Sequence, residues 1–159
     1  MEQIETIVTG GCQCGAVRYR ATAMLDNAHL CHCRMCQKAV GGLFAALVAA
    51  PNDALVFTRG KPAVFRSSEH AERGFCDKCG TPLFFRSAHA GRTNLTMGSL
   101  DRPGAFPPRN QSGVESRVDW WDDISDIAPD ETTEAGMGMN RVASIRLSNR
   151  QHPDFDHES

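Results

Sequence analysis

Seven cysteines fall into three groups: Cys12-Gln13-Cys14, then Cys31-His32-Cys33-Arg34-Met35-Cys36, then Cys76-Asp77-Lys78-Cys79. No other feature limits the fold so strongly, because thiols this crowded must be paired, metallated or kept as reactive groups. The count is odd, and the acidic N-terminus MEQIETIVTGG has no apolar signal-peptide stretch. Both observations argue against a disulfide framework and predict a cytoplasmic protein whose thiols stay reduced. Metal binding is the expected use.

FCDKCGTP carries Gly80 directly after its second cysteine, as zinc knuckles do. The competing reading of Cys76-x-x-Cys79 is a redox pair, but such pairs sit where a strand feeds a helix, and TPLFF after Cys79 is strand-like. Joining the outer groups gives Cys12, Cys14, Cys76 and Cys79, four thiolates that make a closed structural zinc site. The inner group then stands alone with Cys31, Cys33 and Cys36. Three protein ligands and an open fourth position are the arrangement of a catalytic zinc. The alternative is a histidine that closes the triad. His29, His32, His70 and His89 are the candidates, although His32, lying between two ligands in a tight turn, should point away from the metal.

Charge decides what an open three-thiolate zinc is good for. The thiolates outweigh the ion, so the site is net negative and a poor activator of water. Holding a soft substrate thiolate that stays nucleophilic is the more natural task. Chemistry at a substrate thiol is therefore the physical expectation.

A chain of 159 residues suits one domain with an appendage. We place a zinc domain over 8–126 and an acidic, flexible C-terminal tail over 129–159, where PDETTEAGMGMN and QHPDFDHES lack apolar content. GAVRYRATA alternates like a half-buried strand, and LFAALVAA, between Gly42 and Pro51, reads as a buried one. ALVF and AVFR around TRGKP predict a hairpin turning at Gly60. LFFRS and TNLTMGSL around HAGR predict a second, and DRPG a turn. RVASIRLS alternates as a late edge strand would. No amphipathic helical stretch of useful length precedes Trp120, so the fold class is all-β. A net charge of −2 leaves no basic surplus for phosphates, which excludes nucleic acid as the expected partner. The longest apolar run, 41–51, is too short to span a bilayer.

GGCQCGAVRY, CHCRMCQKAVGG and FCDKCGTPLFF, in this order, closely resemble the glutathione-dependent formaldehyde-activating enzyme family, which includes relatives of centromere protein V. SRVDWWDDI, from Ser116, is similar to that family's closing element. The resemblance implies a zinc-stabilised β-tent of small antiparallel sheets with two zinc ions. It places the structural ion on Cys12, Cys14, Cys76 and Cys79 and the catalytic one on Cys31, Cys33 and Cys36. It also implies a carbon–sulfur lyase-type reaction in which glutathione, as co-substrate, and formaldehyde form S-hydroxymethylglutathione. The partners would then be a small-molecule thiol and aldehyde. Gln111 and Gly113 stand where relatives often carry a histidine and an aromatic residue, and the acidic tail has no counterpart.

Several other residues have two readings each. Lys38, just after the triad, would hold a glutathione carboxylate or offset the negative zinc site, against the plainer role of a solvated lysine. Trp120 and Trp121 are expected to anchor a sheet edge rather than line a pocket. Arg117 would meet a substrate carboxylate or pair with Asp119 or Asp122. The alternatives to an enzyme are a non-catalytic zinc-binding interaction module and a thiol-sensing module. The acidic tail counts against a chromatin partner.

Overall fold

The structure is a computed structural model that describes residues 2–129 and 136–155. Its strands are β1 (Gln3–Gly11), β2 (Arg18–Leu25), β3 (His29–Cys31), β4 (Ala45–Pro51), β5 (Leu55–Arg59), β6 (Ala63–Ser68), β7 (Ala71–Phe75), β8 (Pro82–Ser87), β9 (Arg92–Thr96) and β10 (Asn110–Ser112). They form a three-stranded sheet in the order β1-β2-β5 and a seven-stranded sheet in the order β10-β3-β4-β9-β8-β7-β6. Among the described residues, helix is confined to α1 (Arg34–Val40), α2 (Met139–Ser148) and short 3-10 turns. The all-β expectation holds, with one exception to antiparallel pairing: β10 runs parallel to β3.

The sequence pattern explains the packing. In β2, Tyr19, Ala21 and Ala23 turn inward while Arg20 and Thr22 face out, as a period of two requires. β4 is buried along most of its length because β3 and β9 flank it on both edges. The main core joins Val17, Tyr19, Met24, Val48, Leu83 and Leu95 with Cys12 and Cys76. A separate, smaller cluster holds Cys36, Ala45 and Leu47, with Cys31, Cys33 and Val40 against it. The outer thiols are thus part of the main core and the inner ones are not.

β8 and β9 form the expected hairpin. The hairpin expected between β5 and β6 does not form. β5 pairs with β2, and β6 pairs with β7 in the other sheet. Gly60, at φ +60°, presses against the Ala16 carbonyl, where a Cβ would come within 2.1 Å. TRGKP is therefore a crossover docked on the β1–β2 turn. RVASIRLS is helical, not a strand: it forms most of α2. A lone strand there would need a partner edge, whereas a helix satisfies its backbone locally; the Asn149 N–H, for example, donates to the Ile145 carbonyl at 2.8 Å.

Residues 130–135 and 156–159 of the expected tail lie outside the described residues. The segment after α2 returns to the domain, where the His152 N–H donates to the Gln13 carbonyl at 2.6 Å. No helix among the described residues is long and apolar enough to cross a membrane.

Candidate metal centres

Two turns build the outer cluster. Cys12 and Cys14 lie between β1 and β2, and Cys76 and Cys79 between β7 and β8. All four sulfurs lie within 4.8 Å of one another; Cys14 Sγ is 3.6 Å from Cys12 Sγ and 3.8 Å from Cys76 Sγ. Each turn closes on a glycine in the left-handed region, Gly15 at φ +72° and Gly80 at φ +78°, a conformation that suits glycine because it has no Cβ. The Gly15 N–H donates to Cys12 O and the Gly80 N–H to Cys76 O, at 3.0 and 2.9 Å. Thr81 stitches the two turns: its Oγ1 accepts from the Gln13 N–H at 3.0 Å and lies 3.2 Å from Cys79 Sγ. Burial opposes the Cys79 thiolate, yet the Thr81 hydroxyl and N–H and the Cys14 N–H bring its pKa down to about 6. Burial pushes the Cys76 thiol the other way, up to about 12.

The inner cluster is local. Cys31 ends β3, Cys33 precedes α1, and Cys36 lies within α1. Their sulfurs also fall within 4.8 Å of one another, and no histidine nitrogen among the described residues joins them. His32 turns away. It is fully buried, with its ring packed edge-on against Trp121 at 4.6 Å between centroids and its Nε2 2.9 Å from Gln111 Oε1. His29 Nδ1 is engaged by the Asn27 carbonyl at 2.8 Å. Burial raises the Cys31 thiol, but the Cys33 N–H and the Ser112 hydroxyl outweigh it and hold the pKa below its usual value. Burial lifts Cys36 to about 12 although Arg73 opposes the shift; the Arg73 Nη2–H donates to Cys36 Sγ at 3.5 Å.

β10 straps this cluster. The His32 N–H donates to the Ser112 carbonyl at 2.8 Å, and Gly113, at φ +65°, packs on Cys33 so closely that a Cβ would lie 2.6 Å from the Cys33 nitrogen. Gln37 helps hold the same loop, donating to the Ser116 carbonyl at 2.9 Å. Trp121 packs behind the triad against His32 and Phe44, while Trp120 is half exposed. Arg117 pairs with Asp122 at 3.4 Å, and Lys38 is exposed at the end of α1. Sequence reasoning missed Arg73, Thr81 and Ser112. Each reaches its cysteine from another strand or turn, and no local pattern announces that.

Beside the inner cluster lies a cavity of about 300 Å³. Val40, Ala45 and Leu47, which pack around Cys36, form one wall, and Phe65, Arg73 and Phe85 form another.

Comparison with known proteins gives consistent matches. The family model described as glutathione-dependent formaldehyde-activating enzyme matches residues 7–116. A Halomonas elongata protein provisionally named as such an enzyme is 30% identical over 124 residues, covering 72% of this chain and 79% of its own. An uncharacterised lyase of Schizosaccharomyces pombe is 32% identical over 76 residues, 48% of this chain and 55% of the relative. A crystal structure of a Rhodobacter sphaeroides protein superposes with a TM-score of 0.54 at 22% identity, covering 65% of this chain and 99% of that one; it shares the fold.

Proposed function

The chain belongs to the glutathione-dependent formaldehyde-activating enzyme family, and from that premise we propose a zinc-dependent carbon–sulfur lyase-type enzyme that acts on glutathione and formaldehyde or a related thiol–aldehyde adduct. The observation that carries the reading is the contrast between the clusters: one closes with four sulfurs, the other, among the described residues, stops at three beside a cavity. All seven cysteines are free thiols, and sulfur-only donor sets this compact suit zinc. Cys12, Cys14, Cys76 and Cys79 would hold a structural ion, and Cys31, Cys33 and Cys36 a catalytic one. Residues 8–126 would form the working domain, with 129–159 appended, and the reduced thiols suit a cytoplasmic setting.

In the forward direction the thiol sulfur's lone pair forms the C–S bond to the aldehyde carbon. The carbonyl π pair moves to oxygen, and the proton lost by the thiol ends there; the reverse breaks the C–S bond. Zinc, when bound at the inner triad, supplies the positive charge that favours the thiolate form of an incoming thiol. The chain's own groups prepare that place. The Cys33 N–H and the Ser112 hydroxyl ease the negative charge of Cys31, and Arg73 does so for Cys36. Lys38, exposed at the end of α1, offers an ammonium to a glutathione carboxylate. Because the thiol adds to the aldehyde unaided, capture and positioning are the advantage a protein supplies.

Native mass spectrometry should find two zinc ions per chain. Exchange NMR on glutathione and formaldehyde should show faster interconversion with the adduct when the loaded protein is added. Adduct exchange at the uncatalysed rate, with both ions in place and glutathione bound, would leave a thiol-sensing module instead.

A further inference from the structure

The cavity beside the inner triad has walls that do not match glutathione. Among the described residues that line it, Arg73 is the only charged one, and the remainder are aliphatic, aromatic or glycine apart from Thr96. The Thr96 hydroxyl is already committed to the Pro82 carbonyl at 2.7 Å. Sheet register sets the arrangement: Arg73 of β7 stands opposite Phe65 of β6 and Phe85 of β8. The guanidinium lies 5.0 Å from the Phe85 ring centroid and gives one N–H to Cys36 Sγ. The neighbouring carboxylate, Glu72, is engaged by Arg86 at 3.0 Å. A guanidinium has five N–H donors in a planar fork, so donors remain for a ligand anion.

Glutathione carries two carboxylates, an ammonium and two amides. Burying such groups without partners is costly, and the cavity offers a single cation. Its volume is at the small end of ligand pockets, room for one ring or a branched alkyl group. We propose that this cavity receives the organic body of the substrate thiol, and that the preferred thiol has an apolar, aryl or branched-alkyl body bearing one carboxylate, which Arg73 binds. The inference rests on the thiol-binding reading of the inner triad and narrows its substrate class. Arg73 is then a specificity-determining residue, with Phe65, Leu47 and Phe85 supplying the apolar contact.

The test is calorimetric titration of the zinc-loaded protein with 4-(mercaptomethyl)benzoate, phenylmethanethiol and glutathione. The (mercaptomethyl)benzoate should bind about tenfold more tightly than glutathione. Arg73→Gln should weaken it about tenfold, the worth of a charge-assisted hydrogen bond, and change phenylmethanethiol less than about threefold. Ala39→Trp, at an exposed helix position on the cavity rim, should weaken both aryl thiols more than glutathione without touching the triad. Tighter binding of glutathione than of either aryl thiol overturns the inference while the thiol reading stands. Equal loss for all three ligands in Arg73→Gln also overturns it, since Arg73 would then serve Cys36 alone. If none of the three binds, both the inference and the thiol reading fall.

Discussion

Arg18 and Asp101 show how one residue pair conditions the fold around the outer cluster. The pair is bidentate, with N···O distances of 2.9 and 2.6 Å, and the side chains are only 3% and 9% exposed. Burial opposes the Asp101 carboxylate, but hydrogen bonds from Arg18 and Thr9 outweigh it and hold its pKa below the usual value of 3.8. A carboxyl whose pKa is depressed on folding stabilises the native state fully above its unfolded pKa, and that stability is lost as pH falls through the folded one. Asp101→Asn should therefore cost about 1.5–3 kcal/mol at neutral pH, because it removes the charged acceptor of two Arg18 N–H bonds. The difference between wild type and variant should shrink as pH drops below about 4. Urea unfolding across that range checks both statements, and a gap independent of pH would contradict the assignment.

At the scale of elements, β10 is the piece that the sequence hides best and the inner site needs most. Its three residues follow Pro107-Pro108 and carry no alternation, yet they pair with β3 and place Gly113 on Cys33. Gly113→Ala adds a Cβ at a left-handed position and against the Cys33 nitrogen, so it should cost about 1–3 kcal/mol. Zinc at the inner site should weaken while zinc at the outer site persists, which native mass spectrometry resolves. What was legible beforehand follows the same logic. The cysteine groups and the β8–β9 hairpin could be read because their determinants are local: spacing, a glycine turn, alternation. The β5–β6 hairpin was misread because Gly60 looks like a hairpin turn locally, whereas the pairing of β5 with β2 is settled by contacts far along the chain. RVASIRLS failed because alternation over eight residues is weak evidence on its own: no described strand pairs with the segment, and it closes its hydrogen bonds locally as α2. Arg73, Thr81 and Ser112 could not be singled out at all, because the sequence does not show which strand will lie beside which thiol.

The whole molecule separates the two clusters by what they join. The outer one links turns whose cysteines are 62 residues apart, Cys14 and Cys76, and Cys12 and Cys76 are packed into the main core. The inner one spans Cys31 to Cys36 within a satellite cluster. A loop about twelve times longer costs about 2 kcal/mol more to close, so a metal bridging the outer cluster offsets more chain entropy than one held by the inner cluster. Removing a ligand from a closed structural site also removes folding free energy outright. Cys76→Ser should therefore abolish cooperative folding. Cys33→Ala should keep the β-rich circular dichroism spectrum and one zinc per chain, yet lose thiol binding. Chelator titration of the wild type should run in two phases, with inner zinc lost first while the near-ultraviolet spectrum stays native, and collapse only when the second ion leaves. The ordering is the decisive part. If the fold collapsed with the first ion removed, or if Cys76→Ser melted like wild type, the outer cluster would not be the structural centre of this domain.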